Sequence, residues 1–216
     1  MAVYTPEVFK VTNLDEAKRI ILTPEPLTTT EERWEKETPH LVQQIGSLLQ
    51  LNEQSLVLDY GCGVGRVAKG LIDSFGCHVI GVDFSLQMRQ LAPAYVDSNR
   101  FFALAPESFD FLVARGLRVD HAFSIWVLQH CLQPQDDVQR IARAVKQSGG
   151  MYLLNNIRRA VPSNQGWVDD GIDMRQLMAQ SFIKQEEGQL PSGVVTDLLR
   201  THSFWGLYQK GDAASV

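Results

Sequence analysis

Two aspartates and a run of glycines are the residues whose types and spacing suit chemistry in this 216-residue chain. Leu56-Val57-Leu58 reads as a short buried strand and Gly61-Cys62-Gly63-Val64-Gly65 as a turn. Val67, Gly70, Leu71, Ser74 and Phe75 then mark one face of a helix. A strand, a tight glycine turn and a helix in this order present backbone N–H groups with no side chains in the way. They do so at the carboxyl end of a parallel strand, where open α/β sheets bind ligands. Asp59 closes the strand two residues before Gly61. Asp83 closes the next apolar strand, Val79-Ile80-Gly81-Val82, about one strand–helix–strand unit further on. A carboxylate at that second place can accept both hydroxyls of a ribose.

The pattern also limits the ligand. A dinucleotide site needs G-x-G-x-x-G, and Arg66 stands where the third glycine should be, so the pattern here is G-x-G-x-G. Asp59 faces the place a pyrophosphate would take. Two unit charges about 4–5 Å apart repel by roughly 3–4 kcal/mol at an effective dielectric of about 20. A carboxylate there suits a ligand with an ammonium or sulfonium group.

Asp59-Tyr60-Gly61-Cys62-Gly63-Val64-Gly65, followed by Gly81-Val82-Asp83-Phe84-Ser85, resembles a class I S-adenosylmethionine-dependent methyltransferase. Asp120 to Cys131 resembles that family's fourth strand and the turn after it. Ile141 to Gly150 resembles its helix leading to the fifth strand. The likeness runs over roughly residues 50–155 and continues more weakly to the end. It implies an α/β, Rossmann-like three-layer sandwich with a seven-stranded, mostly parallel sheet and an antiparallel last strand. It implies an N-terminal helical extension over residues 1–50 that covers the cofactor site, and a methyltransferase domain over residues 51–216. The implied cofactor is S-adenosyl-L-methionine. The glycine motif would contribute Asp59, Gly61, Cys62 and Gly63 to its site, and the second strand end Asp83, Phe84 and Met88. Ile125 and Trp126 would pass beside the ribose and sulfur. In many family members an Asp ends the third strand and binds the adenine amino group. That position is Ala105 here, which leaves the contact to the backbone of Ala105 and Pro106 or to the side chain of Glu107.

Around these residues the chain supplies positioning elements. Thr29 and Glu32 have capping-box spacing and start a helix that is expected to stop near Pro39, with a second helix carrying Leu41, Val42, Ile45, Leu48 and Leu49 inward. Arg33 or Trp34 on the first would cover the methionine end of the cofactor, or be a solvated Arg and a packing Trp. Ser85 is a natural N-cap, and Met88 serves either the adenosine pocket or the core. The fourth strand is Ala122 to Trp126, preceded by Asp120. His130 follows it, a candidate base near neutral pH or a histidine bound to backbone. Gln135 to Gln147 is amphipathic, and Gly149-Gly150 is expected to end it before a strand at Met151–Leu154. A substrate loop belongs at Asn155 to Asp173, where Trp167 could be an aromatic wall and Arg158 with Arg159 could hold a carboxylate or phosphate. Equally, this is an ordinary polar loop. Asp169 and Asp170 lack partners for a metal site, and none is expected.

Composition narrows the classes. A chain that is 44% hydrophobic has enough apolar residues for one sizeable core. The net charge of −5, with no Lys/Arg cluster, argues against nucleic acid as partner. No apolar run is long enough to span a bilayer and no signal pattern opens the chain, so no membrane partner is expected. Cys62, Cys77 and Cys131 lack metal-ligand spacing and read as reduced thiols in the cytoplasm. The expectation is methyl transfer to a small-molecule acceptor, with no catalytic residue identified and the oligomeric state open. The rivals are a non-catalytic cofactor-binding protein whose 155–173 loop serves a partner, and a nicotinamide-dependent oxidoreductase.

Overall fold

The apolar strands and amphipathic helices alternate along the chain, and the computed structural model, which describes residues 2–25 and 27–211, assembles them into layers. A 3-10 turn (Pro6–Phe9) precedes α1 (Leu14–Ile21) and α2 (Thr30–Leu48). Then come β1 (Leu56–Tyr60), α3 (Arg66–Phe75), β2 (His78–Val82), α4 (Leu86–Val96), β3 (Phe101–Leu104) and α5 (Pro106–Ala114). β4 (Val119–Ile125), α6 (Pro134–Ala144) and β5 (Val145–Asn156) follow, with a hairpin of β6 (Val161–Ser163) and β7 (Gly166–Val168). The chain closes with α7 (Met174–Met178), β8 (Phe182–Gly188), α8 (Asp197–His202) and β9 (Ser203–Lys210).

Seven strands form one sheet in the order β3-β2-β1-β4-β5-β9-β8. The first five are mutually parallel, and the last strand, β9, runs antiparallel to both β5 and β8. Because successive strand residues point to opposite faces, two cores form. Val57, Val79, Phe123 and Tyr152 meet α2, α3 and α4 on one face. Leu58, Val82, Ala122 and Leu153 meet α5, α6 and α7 on the other. Each fully buried side chain of this kind contributes about 1.5–3 kcal/mol. The parallel strands therefore end together at one edge, over which α1 lies through Ala17 packed with Val64 and Met88.

Several expected boundaries are corrected. Pro39 does not stop a helix: it lies inside α2, which runs unbroken for 19 residues from the Thr29–Glu32 capping box. Proline forfeits one i→i−4 bond at a cost of roughly 3 kcal/mol, which burial of Leu41, Val42 and Ile45 on the same helix offsets. Nor do Gly149 and Gly150 end a helix. α6 stops at Ala144, and both glycines lie within β5, with the left-handed residue at Ser148 (φ 62°). A Cβ at Gly149 would lie 2.4 Å from the Asp120 carbonyl oxygen, so close packing requires this glycine. β4 also begins earlier than expected and takes in Asp120, whose Oδ2 accepts the Leu56 N–H at 2.8 Å. α8 starts at Asp197, capped by Thr196.

Candidate functional site

A cavity of about 480 Å³ opens at the carboxyl ends of β1, β2, β4 and β5, where the topology of such sheets puts ligand sites. A wider groove of about 760 Å³ lies at the amino ends, around Asn52, Asp120 and Lys146, and contains none of the glycine turn.

The floor is the turn after β1. Gly61, Gly63 and Gly65 have φ of 80°, 53° and 80°, a region that costs other residues about 1–2 kcal/mol. The Val82 carbonyl accepts the N–H groups of Gly61 at 2.7 Å and Cys62 at 3.1 Å, tying the turn to the end of β2. At Gly63 a Cβ would also come within 2.8 Å of Ile21 Cδ1 on α1. The turn thus fills the space beneath α1 with backbone alone.

Two acids flank this turn. The Asp59 side chain is only 4% exposed and has no hydrogen-bond partner among the described residues. Burial first, then the neighbouring Asp83 charge, push its carboxyl well above the usual carboxylate range, with Arg66 opposing. Asp83 is raised by burial too, but accepts N–H bonds from Ser85 (2.8 Å) and Gly63 (2.9 Å) that favour its charged form. Burial and the same two acids raise the Cys62 thiol, so it is protonated at neutral pH. Such a pair accepts hydroxyls or a positive charge, because a donor between the two carboxylates relieves both desolvation and mutual repulsion.

Two arginines line the cavity from α2 and α3, and of these Arg66 acts on Asp59. Arg33 lines the cavity and donates through Nε to Glu37 at 2.6 Å and through Nη1 to the Thr23 carbonyl at 2.8 Å. Arg66 lines it as well, donating to Thr38 Oγ1 at 3.1 Å with its guanidinium 5.4 Å from the Trp34 ring. Trp34 is outside the cavity lining; its Nε1 donates to the Tyr95 hydroxyl at 3.2 Å, which makes it a packing residue.

Of the other sequence candidates, Gly61, Cys62, Gly63, Phe84, Met88, Ile125 and Trp126 all line the cavity. Pro106 and Glu107 do not: they open α5 beside the edge strand β3, where Glu107 is exposed to solvent. Trp126 has φ 60°, a strained value for a bulky residue, and its buried Nε1 has no partner among the described residues.

The turn after β4 is cross-linked to β5. Gln129 N–H donates to Asn155 Oδ1 at 3.0 Å, and Gln129 Oε1 accepts the Asn156 N–H at 2.6 Å. His130 lines the cavity, with Nδ1 2.6 Å from the Ala160 carbonyl and Nε2 3.1 Å from the Gln129 amide nitrogen. The arrangement fits a neutral ring that donates from Nδ1 and accepts at Nε2, and burial lowers its pKa. With both nitrogens engaged, His130 is a backbone-anchored residue and no free base. Arg159 is likewise occupied: it is buried, bidentate to Asp170 at 2.9 and 2.8 Å, and bonded to the carbonyls of Leu128 and Cys131. It holds no external anion, whereas Arg158 is exposed. Trp167 does line the cavity, beside His130 at 5.1 Å between ring centroids.

Sequence reasoning missed Tyr4, Phe9, Ile20 and Ile21 as cavity residues, and Arg66 as more than a broken fingerprint. Arg66 carried a usable signal, since a positive charge opening the helix after an acid-ended strand implies a counter-charge.

The family described as "Methyltransferase domain" matches residues 58–153. Among curated proteins, none matches the chain in sequence. A chain of the complex between the Haloferax volcanii Trm112 methyltransferase activator and a protein assigned as a methyltransferase is similar in structure. It is 20% identical with a TM-score of 0.65, over 93% of this chain and all of that one. The PH0226 protein of Pyrococcus horikoshii OT3 is 21% identical with a TM-score of 0.63, over 92% of this chain and all of that one. A geranyl diphosphate methyltransferase in complex with SAM is 14% identical with a TM-score of 0.61, covering 87% and 93%. The chain has the class I, Rossmann-like methyltransferase fold, and its residues 58–153 match the methyltransferase-domain family.

Proposed function

We propose that the protein is an S-adenosylmethionine-dependent methyltransferase that acts on a small molecule. The observation that carries this reading is Asp59, a buried carboxylate with no partner among the described residues, beside Asp83 in the cavity. A pyrophosphate would add like charge to that pair, which argues against a nicotinamide cofactor.

The residues fit a ligand with hydroxyls at one place and opposite charges at another. Asp83 keeps lone pairs free beyond its two backbone bonds and would take the ribose hydroxyls. Asp59 would face the positively charged part, and Arg33 or Arg66 the carboxylate of the methionine end. Phe84 and Met88 would edge the adenosine, and Ile125 with Trp126 would wall the site. Pro106 and Glu107 receive no part in this arrangement. α1 and the start of α2 supply Ile20, Ile21 and Arg33 as cover, the role given to the extension before residue 51.

Bound S-adenosylmethionine supplies a methyl group already activated by a sulfonium. The chain therefore needs no nucleophile of its own. Its task is to exclude water and hold the acceptor in line at about 3 Å, which is catalysis by proximity and orientation. His130, engaged at both nitrogens, orients the turn after β4 and moves no proton. The three free thiols fit a reducing, cytoplasmic compartment.

Equilibrium dialysis with radiolabelled S-adenosylmethionine tests the reading. The wild type should retain label, and Asp83→Ala should retain it at least tenfold more weakly. No retention by a folded wild type would contradict the assignment. Retention without transfer to any small-molecule fraction would favour a cofactor-binding protein that is not an enzyme.

A further inference from the structure

We propose that the half of the cavity above β4 and β5 is an acceptor box for a neutral, flat aromatic molecule. This inference rests on the methyltransferase reading, which assigns the half above β1 and β2 to the cofactor.

The box is built by two segments that meet across the cavity mouth. Val3 and Asn164 exchange two hydrogen bonds at 3.0 Å, and Thr5 N–H donates to the Pro162 carbonyl at 3.1 Å. This stitching of the N-terminal strand-like segment to the β6–β7 hairpin brings Phe9 to 6.2 Å from Trp167 and 5.6 Å from His130. Phe84 stands 5.7 Å from Phe9 on the other side. The rings meet at interplanar angles from 52° to 86°, so none of these pairs is stacked and ring face remains for another aromatic partner. Trp167 is 54% exposed, apolar area at the cavity rim that water covers poorly.

Charge decides among aromatic ligands. His130 is a neutral ring engaged at both nitrogens. Burial, with smaller contributions from its neighbours, pushes the Tyr4 phenol up to about 12, so it too is neutral. Burial likewise raises the Cys131 thiol. The Arg159 guanidinium is committed to Asp170 and two carbonyls. A carboxylate or phosphate entering here would lose its hydration and gain no partner. An ammonium would meet ring faces, but the acids of the cavity belong to the cofactor half. With about 480 Å³ shared between both occupants, the acceptor is also small.

2-Naphthol, 2-naphthoate and 2-naphthylmethylamine present one ring system in three charge states. Each is titrated calorimetrically into the full chain, with and without saturating S-adenosylhomocysteine. The expected result is naphthol binding at least tenfold tighter than either charged analogue. Trp167→Ala should weaken naphthol at least fivefold and change S-adenosylhomocysteine affinity less than twofold, and Trp167→Phe should restore most of the naphthol affinity. Equal or tighter binding of the anion or the amine, absence of naphthol binding, or indifference to Trp167→Ala overturns the proposal. Failure of S-adenosylhomocysteine alone overturns the cofactor reading, and the naphthol titration without it still decides the box.

Discussion

The Asp83 carboxylate is bonded to the glycine turn of the neighbouring strand: its Oδ2 accepts the Gly63 N–H at 2.9 Å while Oδ1 accepts the Ser85 N–H at 2.8 Å. The acid at the end of β2 therefore fixes the loop after β1 before any ligand arrives, and the start of α4 with it. On the proposed cofactor reading, removing that side chain should act on stability and on binding together.

Asp83→Ala leaves two backbone donors unpaired, at a cost of about 1–3 kcal/mol in stability. It should also weaken S-adenosylhomocysteine binding by about 1.5–3 kcal/mol, the worth of charge-assisted hydrogen bonds. Thermal unfolding and titration calorimetry on the same sample measure both. Wild-type affinity in the folded variant would remove Asp83 from the site.

Asp59→Asn should separate stability from function. A carboxyl whose folded pKa lies above its unfolded value binds more protons when folded, so it destabilises progressively as pH rises from about 3.9 through the folded value. The amide abolishes that penalty, and the variant should gain about 1–3 kcal/mol at pH 7.5. At about 2–4 °C per kcal/mol for a domain of this size, the melting temperature should rise visibly. The gain should vanish below the unfolded pKa, and cofactor binding should fall at least tenfold. A variant less stable than wild type at pH 7.5 would contradict the role of burial at Asp59.

Cofactor affinity should depend on pH above the ordinary carboxylate range. Asp59 and Asp83 are both shifted upward, so on acidification they protonate earlier than exposed acids. On the proposed cofactor reading, protonation would remove the charges that hold the ligand. Calorimetry across about pH 4.5–8 should show S-adenosylhomocysteine binding weaken steadily toward the acid end. A flat profile over that range would mean the acids do not meet the ligand in ionised form.

The Arg33–Glu37 pair should be strongly coupled. Both are buried, Glu37 fully, and the second oxygen of Glu37 has no partner among the described residues. Arg33→Met removes the directly bonded partner of that charge and leaves only the neighbouring Arg66, so it should cost about 3–5 kcal/mol, whereas Arg33→Met with Glu37→Leu should regain most of it. Denaturant melts of the three variants measure the coupling. A single variant within about 1 kcal/mol of wild type would mean that water reaches Glu37.

The strand–turn–helix around Gly61–Gly65 and its two acids were legible because local rules agree there. Apolar runs end at acids, glycines occupy left-handed positions, and Ser85 and Thr29 cap the helices they precede. The errors share a cause. Pro39 and Gly149 obey tertiary packing over local propensity: the first sits in a helix whose inward face is buried, the second where the Asp120 carbonyl leaves no room for a Cβ. Tyr4 and Phe9 had no readable signal, since only the pairing of residues 3–5 with the β6–β7 hairpin carries them to the cavity. The choice between the alternatives for Arg33 and Trp34 likewise depended on which way α2 faces.

Titration calorimetry with S-adenosylhomocysteine, with NADH as comparison, tests the central claim most directly. The buried, unpartnered Asp59 beside Asp83 predicts micromolar binding of the first and none of the second. Tight binding of NADH, or binding of neither by the folded protein, would contradict it.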